Sequence, residues 1–105
     1  MESPRIPIPY AALADFCRRH HIRRLALFGS VLREDFGPES DVDVLVEFEP
    51  GHTPGLAFID VQDGLSTLFG RPVDLLTFRS VEQSENYLFR RDALSRVQTL
   101  YDAAA

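Results

Sequence analysis

A short apolar run at residues 22–28 constrains the fold of this chain more than any other segment. After Arg23 and Arg24, all four residues up to Phe28 are apolar and fall on both faces of an extended backbone, and Gly29 ends the run immediately. A segment of this length with apolar side chains on both faces is typical of a strand inside a sheet that is covered on both sides. The run therefore predicts a buried β-strand.

The remaining periodicities predict helices and strands in alternation. In chain order the predicted elements are a helix over 10–20, the strand 22–28, a short helix of about two turns after Ser30, a strand over 41–48, a helix from about 58 to Gly70, a strand over 73–78 and an amphipathic helix from about 82 to 103. This α-β-α-β-α-β-α order predicts an α/β (α+β) domain with a small mixed β-sheet flanked by helices. The connection between the first two strands is only about a dozen residues, so their pairing is either parallel or antiparallel.

Composition narrows the class of protein. At 105 residues the chain is expected to be one domain, spanning residues 1–105. The formal net charge of −5 argues against non-specific binding to duplex nucleic acid, although Mg²⁺ supplies local positive charge for a nucleotide substrate. A single cysteine, Cys17, forms no internal disulfide, and the apolar runs are too short for a membrane span or signal peptide. We therefore expect a cytoplasmic protein with no membrane association.

Three acidic residues form the first candidate site. Asp41 and Asp43 stand two apart on a predicted strand, so their side chains share one face with Cβ atoms roughly 6 to 7 Å apart. Asp74 is the second residue of the next predicted strand, and all three acids converge if these two strands pair. Shared carboxylates are suited to hold two metal ions about 3.5 to 4 Å apart in phosphoryl-transfer chemistry.

The Gly29-Ser30 turn is the second candidate site. Glycine permits close backbone approach, and the amides at the start of a helix favour anions such as a triphosphate. Taken one at a time, each feature has a purely structural interpretation. Gly-Ser is then an ordinary turn and helix cap, Asp41-Val42-Asp43 is a solvated turn or calcium-like loop, and Asp74 is a surface acid. Their conjunction in this order at strand and helix boundaries favours a functional site.

The segment from Leu27-Phe28-Gly29-Ser30 to Ser40-Asp41-Val42-Asp43 resembles the signature of the DNA polymerase β-like nucleotidyltransferase superfamily. The chain is most similar to the minimal nucleotidyltransferases, the MNT proteins, and this resemblance covers about residues 10–101. The resemblance implies an enzyme that uses two Mg²⁺ ions and ATP, or another nucleoside triphosphate, to place a nucleoside monophosphate on an acceptor hydroxyl. Asp41, Asp43 and Asp74 would be the catalytic metal ligands, with Asp74 helping to deprotonate the acceptor. Gly29 and Ser30 would hold the triphosphate.

The same resemblance implies a partner. Larger nucleotidyltransferases carry extra domains that hold the acceptor, so acceptor choice here is expected to depend on another protein or on a homo- or hetero-oligomer. MNT proteins are commonly the antitoxins of HEPN/MNT modules, in which they add AMP to a tyrosine of the HEPN ribonuclease toxin. The alternatives are a non-catalytic antitoxin that neutralises its partner by binding, and a nucleotidyltransferase that acts on a small molecule or RNA with a separate acceptor-binding subunit.

Other polar features have less specific interpretations. The spacer 31–40 is more acidic than is usual beside a triphosphate. Within it, Arg33 is the candidate phosphate contact, and the alternative is that Arg33 lies on a solvated helix face. The basic run 18–24 is interpreted as a solvated helix end, with contact to an acidic partner or RNA as the alternative. A zinc site is not expected, because His20 and His21 would diverge on a helix and His52 is remote. Aromatic residues in the tail, at 87, 89 and 101, are predicted to be core or interface residues.

Overall fold

The buried run 22–28 forms the centre of a four-stranded mixed sheet. The computed structural model describes residues 6–29, 41–52 and 55–104. Its strands are β1 (Ile22–Phe28), β2 (Val42–Phe48), β3 (Val73–Thr77) and β4 (Val97–Asp102), arranged in the order β3-β2-β1-β4. β1 pairs antiparallel with both β2 and β4, and β2 pairs parallel with β3. The mixed sheet is confirmed, and the first two strands are antiparallel.

Helices cover both faces of this sheet. They are α1 (Tyr10–Arg19), α2 (Ala57–Phe69), α3 (Phe78–Glu82) and α4 (Tyr87–Ser95). The α1/α2 face packs on alternate residues of the sheet, such as Leu27 and Val44, which have no exposed surface. The α3/α4 face packs on the intervening residues, Ala26, Phe28 and Leu45. The two central strands are therefore buried on both sides, as their composition predicts.

The predicted boundaries of the first two described helices are close to those observed. Backbone φ is restricted at Pro9, which is the residue before α1. Gly70 ends α2 in the left-handed conformation, with φ of 68°, where glycine avoids the steric cost of a Cβ atom. The short helix predicted after Ser30 lies outside the described residues.

The prediction of one long helix over 82–103 is wrong. The tail instead forms α3, α4 and then β4, which pairs with the free edge of β1. Thr77 and Asn86 cap the two short helices by accepting hydrogen bonds from backbone N–H groups of Ser80 and Phe89, each at 3.0 Å. When β4 pairs with β1, the N–H and C=O groups along this edge of β1 gain hydrogen-bond partners in the backbone of β4. These hydrogen bonds outweigh the preference of the segment for continuing the helix.

Side chains of α2 complete the hydrogen bonding of the edge strand β3. The backbone N–H of Val73 donates to Ser66 Oγ at 3.0 Å, and that of Leu75 donates to Gln62 Oε1 at 3.1 Å. Both N–H groups alternate with that of Asp74 along the strand, so they point away from β2. These two bonds hold β3, and with it Asp74, in place against the sheet.

The basic run 18–24 is used largely within the molecule. Arg19 bonds the Asp15 carboxylate at 3.0 Å across one turn of α1. Arg23 and Arg24 contact Glu47 on the neighbouring strand at 3.8 and 3.2 Å, and the guanidinium of Arg24 lies 3.8 Å from the centroid of the Phe78 ring. None of the helices formed by the described residues is long and apolar enough to cross a membrane.

We predict that the Cys17 thiol is chemically inert in the folded protein. Burial raises its pKa from an ordinary value of 9.0 to about 12, against a smaller lowering effect of Arg18. The reactive thiolate is therefore scarce at pH 8. A disulfide reagent such as dithionitrobenzoate should label the protein rapidly in urea and very slowly without it. Rapid labelling of the native protein would contradict this prediction.

The same shift predicts a loss of stability in alkali. The folded thiol keeps its proton up to about pH 12, whereas the unfolded thiol releases it above its ordinary pKa of 9.0. The unfolded state therefore binds fewer protons in this window, and the free energy of unfolding should fall as pH rises through it. A Cys17→Ala variant should lack this component of the alkaline slope in urea titrations.

Candidate active site

Gly29 and Asp43 meet at one end of the central strand pair. Phe28, the last residue of β1, is the register partner of Asp43. Gly29 follows with φ of 74°, a left-handed conformation that other residues rarely adopt. A Cβ atom added to Gly29 would collide with Asp43 Oδ2 and lie 3.3 Å from Asp43 Cγ. Glycine is thus required both by the backbone and by the carboxylate beside it.

The parallel pairing of β2 with β3 brings Asp43 and Asp74 side by side. The two are direct register partners, so their side chains share one face of the sheet on strands about 4.8 Å apart. Asp41 immediately precedes β2, where the backbone N–H of Val42 donates to Pro72 O at 3.0 Å. Asp41 and Asp74 are exposed, and Asp43 is half-buried. The register thus pairs Asp43 with Asp74, and Asp41 lies one residue before the same strand.

The three carboxylates are not drawn into one cluster. Within the described ranges, the group of three ligand side chains whose donor atoms all lie within 4.8 Å of one another is found elsewhere, at residues 21, 49 and 52. Carboxylates on neighbouring positions repel one another, and a bound cation reduces that repulsion. Oxygen ligands from carboxylates are those that Mg²⁺ prefers, so the donor set fits this ion.

A cleft of about 400 Å³ adjoins Gly29. Its other described lining residues, Asp92, Ser95 and Arg96, come from the end of α4 and the turn into β4. Sequence reasoning missed these residues because it continued the helix through them. No local signal separates them from a continuing helix, because the residues from Val97 to Tyr101 fit helical and alternating patterns equally. Arg96 contributes a positive charge to the lining of a cleft that otherwise contains an acid. Ser30 and Arg33, the other candidate phosphate contacts, lie outside the described residues.

The histidines are arranged differently from the sequence prediction. His21 lies in the turn after α1, and its ring stacks on that of His52 with centroids 4.0 Å apart. The turn places His21 outside the helix, and the antiparallel β1–β2 pair brings the residues after β2 back beside it. His21 and His52, which are remote in sequence, are therefore neighbours in the fold.

Comparison with known proteins identifies the family. The fold and the paired acids define a nucleotidyltransferase-like domain, and the family model described as "Nucleotidyltransferase domain" matches residues 11–100. The chain is also 32% identical to a solved structure assigned as a minimal nucleotidyltransferase, with a TM-score of 0.63 over 84% of this chain and 85% of the other. The chain belongs to the nucleotidyltransferase domain family, and within it to the minimal nucleotidyltransferases.

Two curated relatives have similar sequences over part of their length. The protein adenylyltransferase MntA of Thermococcus cleftensis is 38% identical over 65 residues, which are 61% of this chain and 64% of the relative. A protein of Methanocaldococcus jannaschii assigned as a protein adenylyltransferase is 33% identical over 64 residues, 60% of this chain and 64% of the relative. The chain spans a little under two thirds of each.

Two further solved structures share the fold at low sequence identity. One is a toxin-antitoxin structure with AMP-PNP, with a TM-score of 0.66 and 16% identity over 90% of this chain and 74% of the other. The other is a complex of a tri-AMPylated Shewanella oneidensis HEPN toxin with its MNT antitoxin. Its TM-score is 0.58 at 18% identity, over 89% of this chain and 69% of the other.

We predict that Gly29→Ala destabilises the protein more than Gly70→Ala does. Both glycines have positive φ, so both substitutions carry a backbone cost of about 1 to 2 kcal/mol. Only at Gly29 does the added Cβ also collide with a side chain, because Gly70 has nothing within 4 Å of that position. Urea unfolding of the two variants measures the difference.

The excess cost should depend on Asp43. In an Asp43→Ala background the colliding carboxylate is absent, so the cost of Gly29→Ala should fall towards that of Gly70→Ala. Equal destabilisation by both alanines in the otherwise unaltered chain would mean that the collision is relieved without cost.

Proposed function

We propose that this protein is a Mg²⁺-dependent adenylyltransferase that transfers AMP from ATP to a HEPN-type ribonuclease partner. One observation carries the proposal: the strand register pairs Asp43 with Asp74, and the Asp43 carboxylate lies against the backbone of Gly29. Membership of the nucleotidyltransferase family and the adenylyltransferase names of two relatives support the choice of reaction.

Asp41, Asp43 and Asp74 are the residues that would hold two Mg²⁺ ions. When bound, such ions neutralise the triphosphate and lower the proton affinity of the attacking hydroxyl. The aspartates contribute by their placement: Asp43 and Asp74 are fixed by the ladder, and the α2 side chains at the outer edge of β3 keep Asp74 in register. A site built on strands in this way is held more accurately than one on loops.

The cleft beside Gly29 is where the triphosphate would lie. Gly29 permits close approach of phosphate to the backbone, and Ser30 and Arg33 remain candidate contacts. Arg96, which lines the same cleft, is a further candidate because guanidinium groups bind phosphate oxygens through two hydrogen bonds. A cation on this side opposes the repulsion between the aspartates and the nucleotide.

In the proposed reaction an acceptor hydroxyl oxygen bonds to the α-phosphorus of ATP. The bond from that phosphorus to the oxygen bridging the β-phosphate breaks, and pyrophosphate leaves. The hydroxyl proton passes to the Asp74 carboxylate, which is exposed and so accessible to an acceptor. The product is a phosphodiester between AMP and the acceptor, such as a tyrosine side chain.

The acceptor is proposed to be a protein because an apolar surface adjoins the cleft. α4 has one buried residue, Ala93, whereas its large apolar side chains face solvent. The exposed ones on α4 and at the start of β4 are Tyr87, Leu88, Phe89, Leu94 and Val97. A partner that packs on this surface would lie beside Asp92 and Arg96 at the cleft. The AMPylated HEPN toxin in the complex with its MNT antitoxin is a partner of the corresponding kind.

We predict that Asp43→Asn abolishes AMP transfer. Losing a metal-ligating carboxylate removes several kcal/mol of transition-state stabilisation, so the rate should fall roughly 100-fold or more. The measurement is mass spectrometry of a HEPN-type partner protein after incubation with this chain, Mg²⁺ and ATP, where each transfer adds one AMP. Asp63→Asn is the matched control, because Asp63 is an exposed acid on α2, which packs on the opposite face of the sheet.

The same variant separates the rival functions. If Asp43→Asn still neutralises the toxin fully in cells while AMP addition is lost, the protein acts by binding rather than by catalysis. If the HEPN protein stays unmodified under saturating ATP with the unaltered chain, adenylylation of this partner is excluded. The hypothesis to test is then transfer to a small-molecule or RNA acceptor.

Arg96→Ala should raise the KM for ATP with a smaller effect on kcat. A hydrogen bond to a charged group contributes about 1.5 to 3 kcal/mol, which corresponds to a KM increase of roughly tenfold or more. Arg91→Ala is the control, because Arg91 is exposed on the same helix beside the Tyr87 ring and does not line the cleft. An unchanged KM for Arg96→Ala would exclude its contact with the triphosphate.

A further inference from the structure

We propose that His21, Glu49 and His52 form a binding site for a divalent transition metal, with Zn²⁺ as the ion that fits best. The three residues lie at the far end of β1 and β2 from the aspartates. β1 is seven residues long, so at about 3.3 Å per residue the two sites are roughly 20 Å apart. The site is independent of the proposed transfer reaction.

The donor atoms are already gathered. One donor atom from each of the three side chains lies within 4.8 Å of the other two, and His21 Nδ1 is 3.6 Å from Glu49 Oε1. Tetrahedral zinc with ligands at about 2.0 to 2.1 Å places its donors about 3.4 Å apart. Binding also requires the two imidazole rings, now stacked with centroids 4.0 Å apart, to rotate so that both nitrogen lone pairs point at one ion. The side chains that move are 53% exposed at His21 and 43% at Glu49. Such side chains move at little cost.

Backbone hydrogen bonds hold the three residues together before any metal binds. The N–H of Glu49 donates to His21 O at 2.8 Å, and the N–H of His52 donates to Glu49 O at 3.0 Å. These bonds join the turn between α1 and β1 to the loop that follows β2. A site that forms from a prearranged backbone loses less conformational entropy on binding than one assembled from free loops.

His21 occupies a left-handed backbone position, which few non-glycine residues adopt, although histidine does so more often than most. Its φ of 56° makes it the non-glycine residue with positive φ among the residues described. Glycine or asparagine ordinarily fills this left-handed position after a helix. Residues in such conformations concentrate at ligand-binding sites, where the strain is retained for function.

The donor chemistry separates this site from the aspartates. Two imidazole nitrogens and one carboxylate are a ligand set that zinc uses in proteins, whereas Mg²⁺ prefers oxygen ligands alone. Three protein ligands leave one position for water or a further ligand. A cleft of about 440 Å³ adjoins two of the three proposed ligands, and its described lining includes Glu49, His52 and Arg23.

The test is calorimetric titration of the untagged full chain with zinc chloride, in excess Mg²⁺ so that the aspartates are occupied by the competing ion. We expect one zinc per chain and a rise in Tm on zinc addition. His52→Ala and His21→Gly should each weaken zinc binding at least about tenfold. Glycine suits the positive φ at position 21, so the second variant should fold normally and its loss of binding reports the missing ligand.

His20→Gln is the matched control. His20 is adjacent in sequence, but its ring packs on Phe16 with centroids 4.2 Å apart, so zinc affinity should be unchanged. Asp43→Asn should also bind zinc normally. The proposal is overturned if zinc fails to bind at millimolar concentration, if either His21→Gly or His52→Ala binds as well as the unaltered chain, or if affinity is lost in Asp43→Asn.

Discussion

The register between β1 and β2 is the constraint on which the rest of the structure depends. Along β2, valines at alternate positions enter the α1/α2 face, and the residues between them, beginning with Asp43, lie on the α3/α4 face. A slip of one residue would exchange the two sets and bury Asp43 and Glu47 in the apolar core. The cost of burying those charges makes the observed register the stable one. The same hydrophobic pattern that forms the core thus also places an acid beside Gly29.

Local sequence patterns predict most of the elements that carry the candidate site. The apolar run 22–28, the alternation along 41–48 and the end of α2 at Gly70 all depend on short-range periodicity and turn chemistry, and the structure confirms each within about a residue. The position of Asp74 beside Asp43 follows only if β2 and β3 pair, which a single sequence leaves open. The structure supplies that pairing through a parallel ladder. The sequence therefore predicts which residues form the site, whereas their arrangement in space depends on the strand pairing.

The elements that sequence reasoning misses depend on contacts distant along the chain. β4 exists as a strand because β1 presents a second edge to pair with, and the residues from Val97 to Tyr101 fit helical and alternating patterns equally. Arg96 then reaches the Gly29 cleft only because the chain turns there. In the same way, His21 and His52 are far apart in sequence and are joined by the antiparallel hairpin geometry. Tertiary pairing overrides local propensity in each case.

The acidic side chains at the two ends of the β1–β2 pair have different surroundings. At one end Asp43 and Asp74 are register partners on one face of the sheet, and the mutual repulsion of neighbouring carboxylates favours binding of hard cations. At the other end two acidic residues have basic or imidazole neighbours: Glu47 contacts two arginines, and Glu49 lies beside a pair of imidazoles. An imidazole is a neutral donor when deprotonated, so a metal bound there gains ligands without the repulsion that an all-carboxylate set creates. The charged groups at the two ends are solvent-accessible and roughly 20 Å apart, about two and a half times the Debye length at physiological salt, so salt screens most of their direct interaction. The structure therefore allows the nucleotide site and the histidine site to be occupied independently.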